Sequence, residues 1–327
     1  MLVSRIISSG LAVAILGCSA QQPLSPQLVV GPDQTIALAQ AAHFDITLPS
    51  GMPYAFWSKI SGPGAAHFDN EQFNSSFEDS TVNAWLADNG GDVTGGGFVT
   101  RERAHSGSFS WNAYNDSLLP DPYNFSAKLE RWRFDDDSAY YSAWYWWPED
   151  YLVNGRGYGL THDYLNIFQY KERTDPWNPV WIVAVEGVPG TTDKDEFLLH
   201  AWDYLQIPTG VLVPKGRWFQ ITTFLKEGRD DGQMTVWLDG QPIGNQTGVN
   251  TLGGATNTNP PHVMWGVGNY STVGIAKSLY VDDAVVVPAG LPVSRSATFS
   301  APGVYLLRLT VSDGARSMSG DVTVTVQ

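Results

Sequence analysis

Cysteine is almost absent from this chain, and long apolar runs and a net positive charge are absent altogether. The 327 residues include one cysteine, so no disulfide can form within the chain and its folded state depends on its apolar cores. No apolar run reaches the roughly 20 residues that a membrane-spanning helix needs. The 33 acidic residues outnumber the 19 lysines and arginines, and the net charge is −14. This charge excludes the broad basic surface of a nucleic-acid-binding protein, and we expect no nucleic-acid partner.

The residues that are abundant favour an all-β protein. The chain contains 13 tryptophans, 14 tyrosines and 33 glycines. Its apolar runs are short, rich in β-branched and aromatic residues, and bounded by glycine, proline, asparagine or aspartate, as strands joined by turns are. The Asp-Gly pairs at Asp231-Gly232 and Asp239-Gly240 are the clearest hairpin turns. We therefore predict two stacked antiparallel sheets over the middle of the chain.

The N-terminus predicts export and lipid attachment. Arg5 precedes a mostly apolar segment over 6–16, and the letters ILGC, which end at Cys18, resemble a bacterial lipobox. We predict a lipoprotein signal peptide over 1–18 and a tether over 19–26, with Cys18 as the lipidated residue. The mature chain would be held on the bacterial outer membrane or cell surface by its lipid anchor alone. An ordinary signal peptide that contains a cysteine is the alternative.

The two ends of the chain carry complementary halves of one small module. VGPDQTIAL and SGPGAAHF lie within residues 27–70, and SATFSAPGVYLLRLTVSDG lies within residues 294–327. Written end to end, these halves resemble a PKD-like (polycystic kidney disease) immunoglobulin-type module of bacterial surface proteins. In such modules the SGPG strand runs almost directly into the ATFSAPG strand. The resemblance implies a discontinuous Ig-like β-sandwich into which residues 71–293 are inserted as a second domain.

The inserted segment resembles heparin-lyase-I-like polysaccharide lyases in successive blocks. These are YYSAWYWWPEDY, LNIFQYKERTDPWNPVW, VPKGRWFQITTFLKEGRDDGQMTVWLDGQPI and WGVGNYSTVGIAKSLYVDDAVV. The resemblance implies a concanavalin-like jelly roll that cleaves an acidic, uronic-acid-containing polysaccharide by β-elimination. That reaction requires no metal or organic cofactor. We expect a monomer, and a non-catalytic glycan-binding or adhesion lipoprotein is the alternative function.

The reaction needs groups that neutralise the C6 carboxylate of the uronate. Alternation along the strand around residue 169 places Gln169, Lys171 and Arg173 on one face. Arg131 lies on another strand, where Lys128 could extend a local basic cleft. We expect Gln169 and Arg131 to hold the carboxylate, Lys171 to assist, and Arg173 to bind substrate. The alternative is a set of solvent-facing residues on a half-buried sheet.

The reaction also needs a base for the C5 proton, and the substrate needs a stacking surface. Tyr270 and His200 are the two candidate bases, because a tyrosine beside a cation and a histidine can both exchange protons in eliminations. Aromatic side chains on strand faces are candidates for contact with sugar rings. The candidates for this contact are Tyr145, Trp147, Trp202 and Tyr204.

A structural calcium site at the boundary of the inserted segment is a further hypothesis. Glu78 lies near the beginning of this segment and Asp282 near its end, and the ends of an inserted domain lie close together. Carboxylate oxygens are ligands for a hard cation. Solvated acids on two neighbouring strands are the favoured alternative.

Overall fold

A computed structural model describes residues 28, 30–89, 91–115, 126–132, 136–151, 153, 164–172, 179–201, 205–253, 263–271, 277–290 and 292–327. Cys18, Arg173, Trp202 and Tyr204 lie outside these ranges, so the roles expected of them stay predictions. Within the ranges, no helix has the length and apolar character needed to cross a membrane.

The described chain is built almost wholly from strands, which confirms the all-β prediction. The one α-helix, α1, spans Asn83–Leu86 and leads into a 3-10 turn at Ala87–Asn89. The strands in chain order are β1 (Gln34–Ile36), β2 (Ala42–His43), β3 (Tyr54–Ser61), β4 (Ala66–Phe68), β5 (Phe73–Ser75), β6 (Gly91–Gly95), β7 (Phe98–Thr100), β8 (Ser110–Asn115), β9 (Ser126–Arg131), β10 (Ser138–Trp146), β11 (Tyr164–Glu172), β12 (Pro179–Gly187), β13 (Asp195–Ala201), β14 (Gln206–Leu212), β15 (Trp218–Lys226), β16 (Gly232–Leu238), β17 (Gln241–Val249), β18 (Val263–Ser271), β19 (Lys277–Pro288), β20 (Ser296–Phe299), β21 (Gly303–Ser312) and β22 (Ser317–Val326).

Strands from the two ends of the chain pair with each other. A four-stranded sheet has the order β1-β22-β21-β3, and a three-stranded sheet has the order β2-β20-β4. We call these two sheets the terminal sandwich. Leu307, Leu309 and Val311 alternate along β21 and point into its core, whereas Arg308 between them points out. The assignment of this unit to PKD-like modules stays a prediction.

Two larger sheets form the middle of the molecule. The junction sheet has the order β17-β16-β15-β10-β19-β8-β7, with β5 beside β19. The distal sheet has the order β14-β13-β12-β11-β18-β9-β6. One continuous apolar core lies between them, in which Tyr141 of the junction sheet meets Tyr170 and Trp265 of the distal sheet edge-on or tilted. The result is a large β-sandwich of the jelly-roll kind.

The terminal sandwich packs on the outer face of the junction sheet. Phe56 of β3 joins Tyr140, Phe224 and Trp237 of the junction sheet in a separate aromatic core. This packing explains the run of aromatic residues in β10. Successive strand residues point to opposite faces, and both faces of β10 are covered, so both sets of side chains are buried.

A buried ion cluster also joins the two units. Lys59 of β3 donates to Asp283 of β19 over 2.7 Å, and the His105 ring nitrogen Nδ1 lies 2.8 Å from the other carboxylate oxygen of Asp283. Lys59 also donates over 2.7 Å to the hydroxyl of Ser106 and to the carbonyl oxygen of Gly64. Every donor of the lysine therefore has an acceptor, which buried charges require.

Candidate functional site

A row of polar residues crosses the outer face of the distal sheet. Gln169 of β11 lies opposite Gly266 of β18, and Gly266 lies opposite Glu130 of β9. On the other side, Gln169 lies opposite Ile182, which in turn lies opposite His200. Residues directly opposite each other in an antiparallel sheet share a face, so Gln169, Glu130 and His200 point the same way.

Glycine in the middle of this row leaves space for the charged side chains. A Cβ atom at Gly266 would lie 3.3 Å from Cγ of Glu130, which is a tighter contact than side chains normally make. The glutamate can therefore reach across β18 toward β11. Its two lysine partners lie on either side of it, one on β9 and one on β11.

Four side chains form what we call the lysine–glutamate cluster: Lys128, Glu130, Gln169 and Lys171. One oxygen of Glu130 accepts hydrogen bonds from Lys171 over 2.7 Å and from Lys128 over 3.0 Å. Lys128 also donates to the amide oxygen of Gln169 over 3.3 Å. Exposure of the four residues is between 5 and 9%. With both lysines protonated, the cluster carries one net positive charge in an otherwise acidic protein.

Burial and mutual charge shift the protonation of this cluster. Burial lowers the pKa of Lys128 to about 8; Glu130 opposes this shift and the nearby Lys171 adds to it. Burial acts against ionisation of Glu130, but the two lysines together lower the pKa of its carboxyl group. Lys128 is therefore a cation at neutral pH that loses its charge in mildly alkaline solution.

The two candidate bases differ in their distance from the cluster. The ring centroid of Tyr270, on β18, lies 5.1 Å from the Lys128 nitrogen, and the residue is partly exposed. His200 lies two strands away from Gln169, which is about 10 Å at normal strand spacing, and it is buried. The geometry therefore favours Tyr270 over His200 as the group that exchanges a proton with a substrate held by the cluster.

Arg131 does not join the cluster, contrary to our expectation. It lies opposite Trp265, on the face of the distal sheet that points into the core. Its guanidinium donates to the carbonyl oxygens of Ala84, Trp85 and Ala87 at the end of α1, over 2.9 to 3.2 Å. Arg131 and Gln169 thus lie on opposite faces and cannot hold the same carboxylate.

Tyr145 and Trp147 are also placed away from any sugar-binding surface. Both are fully buried between the two large sheets, and the Tyr145 hydroxyl donates to the carbonyl oxygen of Ile167 over 2.5 Å. The indole nitrogen of Trp147 donates to the carbonyl oxygen of Tyr151 over 3.1 Å. Their aromatic area stabilises the core, so the prediction that they contact substrate is wrong.

The acids proposed as calcium ligands are engaged by backbone amides. The Glu78 carboxylate accepts from the amides of Ser108 and Phe109 over 2.9 Å, and Asp282 accepts from the amides of His105 and Ser106 over 2.8 and 3.2 Å. Among the described residues, no group of three or more acids, histidines or cysteines could hold a metal ion. Both acids therefore act as acceptors that fix the loop around residues 105–109.

Glu130 is the residue whose role the sequence analysis missed. In the pattern Lys128-Leu129-Glu130-Arg131, alternation places Lys128 and Glu130 on one face and Leu129 and Arg131 on the other. Leu129 is apolar and fully buried, and its neighbours two residues away share its face. An apolar residue between two opposite charges was the available signal that Lys128 and Glu130 face away from the core.

Comparisons with known proteins show likeness at the level of solved structures. No family model and no curated protein matches the chain. An endo-β-1,4-glucuronan lyase from the fungus Trichoderma reesei is similar over 71% of this chain and 94% of its own, with 14% identity and a TM-score of 0.44. The PL-14 alginate lyase from Aplysia kurodai is similar over 71% and 99%, with 11% identity and a TM-score of 0.44. The receptor-binding domain of botulinum neurotoxin type G is similar over 67% and 48%, with 10% identity and a TM-score of 0.41. At these values the likeness says nothing about the activity of this chain.

Proposed function

We propose that the protein is a polysaccharide lyase that cleaves a uronic-acid-containing polysaccharide by β-elimination at the lysine–glutamate cluster. The observation that carries this proposal is a buried, net positive group of side chains on the outer face of the distal sheet of a strongly acidic protein. Gln169 supplies an amide next to Lys128 and Lys171, and Tyr270 lies beside Lys128. An amide, two cations and a phenol are the groups that an elimination next to a carboxylate requires.

Lys128, Lys171 and Gln169 would hold the C6 carboxylate and stabilise the negative charge that develops there. Such stabilisation is largest where donors are already oriented and shielded from water, as they are in this cluster. Glu130 acts as a positioning residue, because it holds both lysines through one oxygen. It also leaves the cluster one positive charge, which suits a single carboxylate.

Tyr270 would take the C5 proton, and His200 is the alternative base. The electron pair of the C5–H bond then forms the C4–C5 double bond, the C4–O bond breaks, and the leaving oxygen takes its proton from the Tyr270 hydroxyl. The Lys128 ammonium, 5.1 Å from the centre of the Tyr270 ring, keeps the phenol next to the groups that would hold the carboxylate. No step requires an oxidant or a second substrate.

The experiment that tests the proposal follows the unsaturated product. The purified full chain is incubated with polymers of glucuronate, galacturonate and mixed mannuronate and guluronate, and near-ultraviolet absorbance is recorded. We expect absorbance to rise with at least one polymer. Binding to a polymer without a rise for any of them would refute the lyase and favour a non-catalytic glycan-binding protein that uses the same sheet face.

The pH dependence of KM should show whether Lys128 binds the substrate. Because its pKa is about 8, the protonated fraction falls as the pH rises through that value, and with it the attraction for a carboxylate. For the polymer that is cleaved, we expect KM to rise above about pH 8. A Lys128→Arg variant keeps its charge at alkaline pH, so its KM should not rise there. A wild-type KM that stays flat to about pH 9.5 would show that Lys128 does not bind the substrate.

A further inference from the structure

A polar cavity lies on the side of the molecule opposite the lysine–glutamate cluster, between the terminal sandwich and the junction sheet. Its volume is about 190 Å³. Trp144 of β10 and Gln220 of β15 lie opposite each other and form its floor. Arg217 and Asp239 of the junction sheet and its turns line one side, and Arg308 of β21 lines the other. Neither unit alone could form this cavity.

The walls of the cavity offer more hydrogen-bond donors than acceptors. One oxygen of Asp239 accepts from the Gln220 backbone amide over 2.8 Å, and the other forms an ion pair with Nη1 of Arg217 at 2.9 Å. The side-chain oxygen of Gln220 accepts from the hydroxyl of Ser58 over 2.7 Å. The acceptors on this side are therefore already in use.

The unused donors belong to three side chains. Gln220 is 4% exposed, and its side-chain nitrogen has no hydrogen-bond partner in the described part of the chain. Arg308 binds Asp321 through Nε and Nη2 over 2.7 and 2.8 Å, which leaves Nη1 without a partner among the described residues. Arg217 binds Asp239 through Nη1, and its Nε and Nη2 have none there either. Because Gln220 lines the cavity, its N–H groups are available to water or to a ligand that supplies an acceptor.

We propose that this cavity binds one uronate residue of a saccharide, with the carboxylate between Arg217 and Arg308 and ring oxygens on Gln220. Guanidinium groups bind carboxylates through paired, charge-assisted hydrogen bonds. The volume suits one six-membered ring, because a cavity of about 150 Å³ holds benzene. Trp144 gives the ring an apolar wall. The carboxylate of a uronate only accepts hydrogen bonds, so it matches the excess of donors better than the hydroxymethyl group at the same position of a neutral sugar does.

This site is separate from the lysine–glutamate cluster and does not depend on the proposed lyase activity. Trp144 and Gln220 are on the outer face of the junction sheet, whereas Gln169 is on the outer face of the distal sheet. The whole apolar core lies between them. The cavity would hold a chain end or branch of the saccharide while the rest of the protein acts on, or binds, another segment.

The test measures binding of sodium D-glucuronate to the purified full chain by titration calorimetry. A ligand of this size should bind with a dissociation constant of about 1 mM. Arg217→Met should weaken binding about tenfold or more, since a charge-assisted contact is lost. The Arg217 side chain is 55% exposed, so this variant should fold normally. Arg316→Met is the matched control: it removes another exposed arginine that pairs with an aspartate, in the turn between β21 and β22 and not in the wall of the cavity, and should bind as the wild type does.

A Gln169→Ala variant separates the two sites. Glucuronate binding that persists in Gln169→Ala and is lost in Arg217→Met supports the cavity. Binding that is lost in Gln169→Ala and unchanged in Arg217→Met overturns the proposal and assigns the sugar to the distal sheet. No binding by the wild type at tens of millimolar, or equal binding of D-glucose, also overturns it.

Discussion

Replacing Lys59 with methionine is expected to lower the free energy of unfolding by about 3–5 kcal/mol, because it leaves a buried carboxylate without its cation. Lys59 and Asp283 have side chains that are 6% and 7% exposed and lie 2.7 Å apart. Asp282, next in the chain, is fully buried as well, and burial and the neighbouring carboxylate raise its pKa well above the usual value. Equilibrium unfolding in urea or guanidinium measures the loss.

The pairing at this site also predicts how the loss depends on pH. Although burial opposes ionisation of Asp283, Lys59 and His105 lower its pKa from 3.8 to about 2. A carboxyl group with a lowered pKa in the folded state contributes stability above its unfolded value, and this contribution disappears as the pH falls through the folded value. The difference in the free energy of unfolding between Lys59→Met and the wild type should therefore be largest near pH 7 and should shrink toward about pH 2.

Two further variants test whether the charge itself is responsible. Lys226→Met removes a lysine whose ion pair with Asp231 is equally short, at 2.6 Å, but largely exposed, and we expect a far smaller loss. The double variant Lys59→Met with Asp283→Asn should regain part of the stability, because no unpaired charge remains. Asp283 has a φ of 46°, which asparagine tolerates. Equal losses for Lys59→Met and Lys226→Met would contradict the argument.

Removing the phenol of Tyr270 or the amide of Gln169 is expected to have the largest effect on activity. Tyr270→Phe should lower kcat by about 100- to 10,000-fold, as loss of a general base does. Gln169→Ala should lower kcat by about 100- to 1,000-fold, because it removes a donor to the developing charge. Both rates are measured from product absorbance with whichever polymer the wild type cleaves.

Matched controls distinguish a chemical role from a structural one. Tyr305→Phe removes a tyrosine hydroxyl that donates to Ala301 in the terminal sandwich, and Gln233→Ala removes a hydrogen-bonded glutamine of the junction sheet. Both controls should retain activity, and all four variants should unfold at similar temperatures. Near-wild-type rates for Tyr270→Phe and Gln169→Ala would move the active site elsewhere. Unfolding of both would show that these residues hold the sheet together.

Local patterns in the sequence were sufficient for the elements and for which residues share a strand face. Short apolar runs between turn residues correctly indicated strands, because strands and turns depend on neighbouring residues. Alternation also correctly placed Gln169 and Lys171 on one face, because residues two positions apart in a strand point to the same side. Both residues belong to the lysine–glutamate cluster, in which Gln169 contacts Lys128 and Lys171 contacts Glu130.

Which face meets solvent was decided only by tertiary packing. Alternation describes two faces of a strand and does not say which one is covered, so it does not show that Arg131 and Gln169 lie on opposite faces of the distal sheet. Tyr145 was assigned to a substrate surface, yet the distal sheet covers its face of β10 and the terminal sandwich covers the opposite face.

The sequence by itself determined the all-β class, the strand faces and the pool of side chains available for chemistry. The tertiary structure alone brought Lys128 and Glu130 to Gln169, which is 41 residues from Lys128 in the sequence. It also brought Lys59 to Asp283, which is 224 residues away. Such contacts depend on strand order and sheet packing, which local preferences do not encode. The same is true of the cavity around Gln220, because its walls come from two sandwiches that are brought together only by the tertiary structure.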